Sequence, residues 1–109
     1  RRTALLVASS PAYSTGIIDD VRGIAALAAE GKIGCHVDSC LGSFMTPLMA
    51  ELGVKAGNGL EKGIGFHLPG ITSLSVDPHK YGFTPKGSSV LLWKNADMRR
   101  FQYYTVPRW

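Results

Sequence analysis

Apolar residues along this chain gather in short runs separated by polar and glycine-rich stretches, and the period of the runs changes along the sequence. "TALLVA" at 3–8, "IGCHVD" at 33–38, "ITSLSV" at 71–76 and "SSVLLW" at 88–93 are each bounded by turn-forming residues, the pattern of strands. Between the first two, Ile17, Val21, Ile24, Ala25 and Ala28 recur at helical spacing. Asp19 and Asp20 stand where a helix dipole favours acid, and Gly31 supplies a stop. A second helix is predicted around "TPLMAELG", ending near Gly53. Residues 54–70 are glycine-rich and read as a loop. Within them "GNGLEKG" mimics part of a dinucleotide fingerprint, but it neither follows a strand nor opens an amphipathic helix.

Connection lengths set the topology. The first three strands alternate with helices or long connections and are expected to be parallel, whereas residues 77–87 are too few for a crossover helix, so the fourth strand should run antiparallel to the third. The fold class is therefore α/β, three parallel strands plus one antiparallel strand with helices packed on the sheet. Open α/β sheets bind ligands beyond the carboxyl ends of their parallel strands. Three segments emerge there: "SSPAY", "DSCLGS" and "DPHKYG".

With 109 residues, 45% of them apolar, the chain has the size of one small domain. Its net charge of +4 comes from 12 basic and 8 acidic residues spread along the sequence. Trp93, Phe101, Tyr103 and Tyr104 have no regular basic interleaving and read as core or interface aromatics, so no nucleic-acid partner is expected. Cys35 and Cys40 read as a reduced pair in an intracellular protein. No apolar run approaches the roughly 20 residues of a membrane helix, so no membrane contact is expected from this segment. Arg1-Arg2 runs directly into an apolar strand and "TVPRW" closes on no element, the expectation being an internal piece of a longer protein.

The chemistry converges on two residues. Asp38 ends an otherwise apolar strand, where a carboxylate is costly unless something positive meets it. Lys80 emerges from the neighbouring strand, roughly 4.8 Å away across the sheet. Two readings follow: a plain Asp38–Lys80 ion pair joining two loops, or two sides of one small ring. Pyridoxal phosphate demands the second, a lysine for its aldehyde and an acid for its pyridine nitrogen. His79 and the hydroxyls of Ser9, Ser10, Ser73 and Ser75 could meet its phosphate or ring oxygen. A metal is not expected, because Cys35, His36, Asp38 and Cys40 fit no zinc spacing and alternate strand residues face opposite ways. His36 shares a face with Asp38, as a neighbour of the site or a core histidine; His67 reads as a loop residue.

"HVDSCLGSF", followed by "GITSLSVDPHKYGFTPKGSSVLLW", resembles the group II pyridoxal-phosphate decarboxylase family. Within it the likeness is greatest to the carbon–carbon lyases that cleave a phosphorylated long-chain amino alcohol to a fatty aldehyde and phosphoethanolamine. It extends over "GIIDDVRGIAALAAEGKI" and "RRFQYYTVPRW". The resemblance implies Lys80 as the Schiff-base lysine, Asp38 as partner of the pyridine nitrogen and His79 on the cofactor phosphate. It sets Cys40 against a ring face, with Ser9 among the cofactor contacts. Lys86 matches a basic residue aimed at the substrate phosphate, and Tyr81 either touches substrate or cofactor across a dimer or simply packs. It further implies that residues 1–109 are part of the large domain of a fold-type-I homodimer, cytoplasmic or cytosol-facing on an internal membrane, with the cofactor-phosphate loop and small domain outside this piece. An amino-acid decarboxylase and a degenerate, non-catalytic homologue are the alternatives. Two departures stand out: Ser14 and Thr15 precede Gly16 where a proline and a histidine are usual, and "GSF" at 42–44 replaces a pair of glycines.

Overall fold

The computed structural model describes residues 2–54, 63–105 and 107. All of "GNGLEKG" but its last glycine lies outside them.

Four strands form one sheet: β1 (Leu5–Ser9), β2 (Gly34–Asp38), β3 (Ser73–Val76) and β4 (Val90–Trp93). They lie in the order β1-β2-β3-β4, the first three parallel and β4 antiparallel to β3, as the connection lengths require. The pleat sorts the side chains. Ala8, Cys35, Val37 and Leu74 are buried and form the core with Val21, Ala25 and Ala28 of helix α1 (Val21–Gly31), together with Leu68 and Ile71. Cross-strand register aligns Val7, His36, Ser73 and Trp93 in one row of the other face, and Ser9, Asp38, Ser75 and Leu91 in the next.

Helix α1 begins one residue after its cap. The Asp20 carboxylate accepts the Gly23 N–H at 3.0 Å, satisfying a donor that the first turn leaves free. Asp19, expected to serve the same dipole, does something else: its carboxylate accepts the Ser9 N–H at 2.7 Å and its own N–H donates to the Ser9 carbonyl at 3.0 Å. It thereby clamps the end of β1 to the start of α1. Ile17, which fits the helical spacing, lies before the helix and is exposed. Lys32 rather than Gly31 takes the left-handed closing position, at φ 52°.

Helix α2 (Met45–Glu51) follows β2, and a short helix α3 (Ala96–Arg99) with one 3-10 turn (Arg100–Gln102) follows β4. Trp93 is half-buried and donates its indole N–H to Gln102. Phe101, Tyr103 and Tyr104 are at least 71% exposed, so they form no part of this chain's core. Among the described residues no helix is long and apolar enough to cross a membrane.

Candidate active site

Asp38 lies at the carboxyl end of the central parallel strand, flanked in register by Ser9 and Ser75. Its carboxylate accepts the Cys40 N–H at 3.1 Å and the Ser75 hydroxyl at 2.9 Å. Burial pushes its pKa up. The Cys40 N–H, the Cys40 thiol, Ser75 and the nearby His36 outweigh that and hold it below the ordinary value of 3.8. Hydrogen-bond donors thus maintain a carboxylate at a strand end, with no ion pair to it among the described residues. One row back, His36 Nδ1 meets the Ser73 hydroxyl at 2.8 Å, and burial pushes the imidazole pKa down against the opposing pull of Asp38. Asp38 thus has a structured polar floor.

The loop after β3 positions Lys80. Asp77-Pro78-His79-Lys80 is a tight turn closed by the Lys80 N–H on the Asp77 carbonyl at 3.0 Å, with proline in the second position, where its fixed φ suits the turn. The turn folds the lysine back over its own first residue: Lys80 Nζ lies 2.8 Å from Asp77 Oδ2. This corrects the simple ion-pair reading, since the partner of Lys80 is Asp77 and not Asp38. Asp77 also accepts the Ser89 hydroxyl, and His79 Nε2 is 3.9 Å from the same carboxylate. The Lys80 and Ser89 hydrogen bonds hold Asp77 below the ordinary aspartate range. The Asp77 hydrogen bond, then one to the Cys40 thiol, push Lys80 up against the effect of burial. Through Cys40, the lysine sits beside the loop whose N–H holds Asp38.

The other expected residues divide. His79 directs Nδ1 to the Ser88 carbonyl, which leaves Nε2 on the side of Asp77. Of the four candidate hydroxyls, Ser73 is engaged by His36, Ser75 by Asp38, and Ser10 is fully buried with no partner. Ser9 alone keeps an uncommitted hydroxyl at the edge among the described residues. Lys86 is exposed and has no ion-pair partner among them. Tyr81 is 46% exposed and lines a mostly apolar groove of about 370 Å³ between the β1–α1 loop and α2, which neither Asp38 nor Lys80 lines. Cys35 and Cys40 are free thiols, Cys35 facing the core and Cys40 the site edge. No three histidine, cysteine or acidic side chains among the described residues gather as metal ligands.

The two departures have local accounts. A Cβ on Gly42 would lie 2.0 Å from the Ser10 carbonyl oxygen, so this position admits only glycine. Ser43 beside it has no positive φ and buries an unpartnered hydroxyl. Thr15 Oγ1 accepts the Ile17 N–H at 3.3 Å within the loop. Sequence reasoning passed over Asp77, although an Asp-Pro pair three residues before the lysine is a turn signal that brings the two together.

No family model matches the chain. Among curated proteins it is 48% identical over 109 residues to the sphingosine-1-phosphate lyase of Saccharomyces cerevisiae and 45% identical over the same length to sphingosine-1-phosphate lyase 1 of Rattus norvegicus. Each match covers 100% of this chain but 18% of the relative, so the chain spans less than a fifth of their length. A solved structure of a sphingosine-1-phosphate lyase from Burkholderia pseudomallei superposes with a TM-score of 0.83 at 41% identity, covering 100% of this chain and 24% of that one. In sequence and in fold alike, the chain is homologous over its whole length to one segment of the sphingosine-1-phosphate lyases.

Proposed function

We propose that the protein containing this segment is a pyridoxal-phosphate-dependent lyase that cleaves a phosphorylated long-chain amino alcohol, such as sphingosine 1-phosphate, to a fatty aldehyde and phosphoethanolamine. The observation that carries this reading is the presence at one sheet edge of a strand-end Asp38 carboxylate held by hydrogen-bond donors and, on the loop after the neighbouring strand, the Lys80 amine, in a chain similar throughout to lyases of that name. The donor set suits the cofactor. Asp38 would hold the pyridine nitrogen, Lys80 would bind the aldehyde carbon, and Cys40 and Ser9 would border the ring. His79 would offer Nε2 to the cofactor phosphate, its Nδ1 being engaged by Ser88.

When bound, the cofactor supplies an electron sink that stabilises the carbanion left by carbon–carbon cleavage. The protein's own part is electrostatic and positional. Asp38 keeps a negative charge where the ring nitrogen must stay protonated, and the Ser75 and Cys40 donors keep that charge in place. Lys86, exposed on the same loop as Lys80 and without an ion-pair partner among the described residues, is the cation for the substrate phosphate. Tyr81 borders an apolar groove beside this loop. The complete protein is a homodimer in this reading, cytoplasmic or facing the cytosol, and residues 1–109 are part of its large domain.

Product analysis tests it. The complete protein, given pyridoxal phosphate and sphingosine 1-phosphate, should release a long-chain aldehyde, and Lys80→Ala should release none. Carbon dioxide from an amino acid with no aldehyde would make it a decarboxylase. Neither product, with no cofactor bound, would leave a non-catalytic homologue.

A further inference from the structure

The Lys80 amine is held by a group that the proposed chemistry does not use. Asp77 lies one residue beyond β3, its carboxylate held by Lys80 Nζ at 2.8 Å and by the Ser89 hydroxyl from the residue before β4, with His79 Nε2 3.9 Å away. Its side chain is only 13% exposed. The turn that carries it is also joined to the segment before β4, through His79 on the Ser88 carbonyl, and the Thr84 N–H closes on the Pro78 carbonyl at 3.2 Å. The ionisable groups that face Lys80 are Asp77 and, across the site, Cys40 from the β2–α2 loop; His79 faces Asp77 from the same turn.

We infer that Asp77 is a positioning residue that holds the Lys80 amine as an ammonium against its own turn, so that covalent attachment of an aldehyde cofactor requires this pair to open. The inference rests on the cofactor reading above. The chemistry needs the opening because an ammonium has no lone pair. Lys80 first releases one proton to solvent; its nitrogen then bonds to the aldehyde carbon, and the aldehyde oxygen leaves as water with the two remaining amine hydrogens. Attachment turns the ammonium nitrogen into an imine nitrogen and takes it out of its ion pair with Asp77. Ion pairing at Asp77 supports the direction, since its hydrogen bond is the foremost cause of the raised Lys80 pKa.

The test uses the complete protein, stripped of cofactor, as wild type, Asp77→Asn and Asp77→Glu. Acylation of Lys80 by a small amine-directed reagent is followed against pH by mass spectrometry, and attachment of pyridoxal phosphate is followed against pH by absorbance. Asp77→Asn should move the Lys80 labelling midpoint to lower pH and raise labelling at neutral pH roughly threefold, the scale of a partly exposed ion pair. Attachment should move the same way, and Asp77→Glu should restore the wild-type profile. A merely structural Asp77 would leave the midpoint in place. An unchanged labelling midpoint in Asp77→Asn, or an unchanged attachment profile where attachment occurs, overturns the inference. If labelling shifts as expected and pyridoxal phosphate attaches to none of the three proteins, the hold on Lys80 stands and the cofactor reading falls.

Discussion

Asp38 keeps its charge at the end of an apolar strand chiefly because hydrogen-bond donors face it: the Cys40 N–H, its thiol and the Ser75 hydroxyl. Asparagine can still accept from Cys40 and Ser75 through its amide oxygen, so Asp38→Asn should fold normally in the complete protein. It cannot hold a proton on a ring nitrogen by charge, and turnover should fall about a hundredfold or more, the cost of removing one preorganised electrostatic partner. Steady-state aldehyde release with circular dichroism as the folding control measures both. If Asp38→Asn turns over like wild type, the carboxylate is not the ring's partner. The place of Asp38 at a strand end was legible in the sequence, because it is a charge that closes an apolar run. The division of labour among the serines was not. Whether Ser73 meets His36 and Ser75 meets Asp38 depends on cross-strand register, which only the folded sheet fixes.

At the scale of elements, the sheet edge is held in place by α1 and by the turn before β4. Helix α1 packs so closely on the segment leading into β3 that a Cβ at Gly70 would lie 1.8 Å from the Ala25 carbonyl oxygen. Neither atom can turn aside, since one belongs to a helix backbone and the other would be fixed to the chain. Gly70→Ala should therefore push α1 off the sheet and cost about 1–3 kcal/mol, as overpacking does. Denaturant unfolding of the complete protein reads this directly, and a midpoint equal to wild type would show that the helix can shift at no cost. Helix and strand types were readable from period and connection length. The helix start was not: Ile17 fits the 3.6-residue spacing, yet the chain uses Asp19 to tie off β1 first, and a tertiary clamp of that kind leaves no periodic trace. The turn at Asp77-Pro78 was written plainly in its residues, but its consequence, a lysine folded back on an aspartate, emerges only when turn geometry is followed to the side chains.

At the scale of the whole molecule, the described residues cover one face of the sheet with α1 and leave much of the other open. On the side away from α1, Leu5, Val7 and Leu91 are exposed, and an open apolar hollow of about 790 Å³ runs past His36 and Trp93 to Phe101. Among the described residues β1 pairs only with β2 and β4 only with β3, so both outer strands carry free backbone donors and acceptors. A sheet in this state lacks much of the burial that ordinarily offsets chain entropy, and its edges invite pairing with another chain. The sequence carries a sign of this, because strands covered on both faces read as unbroken apolar runs, and LLVA at 5–8 and VLLW at 90–93 are such runs. The 109 residues expressed alone should be inactive, only marginally folded and prone to associate. Sedimentation and denaturant unfolding check this together: broad unfolding and concentration-dependent association are expected. A monomer with one sharp, cooperative transition would mean that α1 and the strand-end hydrogen bonds suffice to hold the sheet, and that the bare face requires no cover to fold.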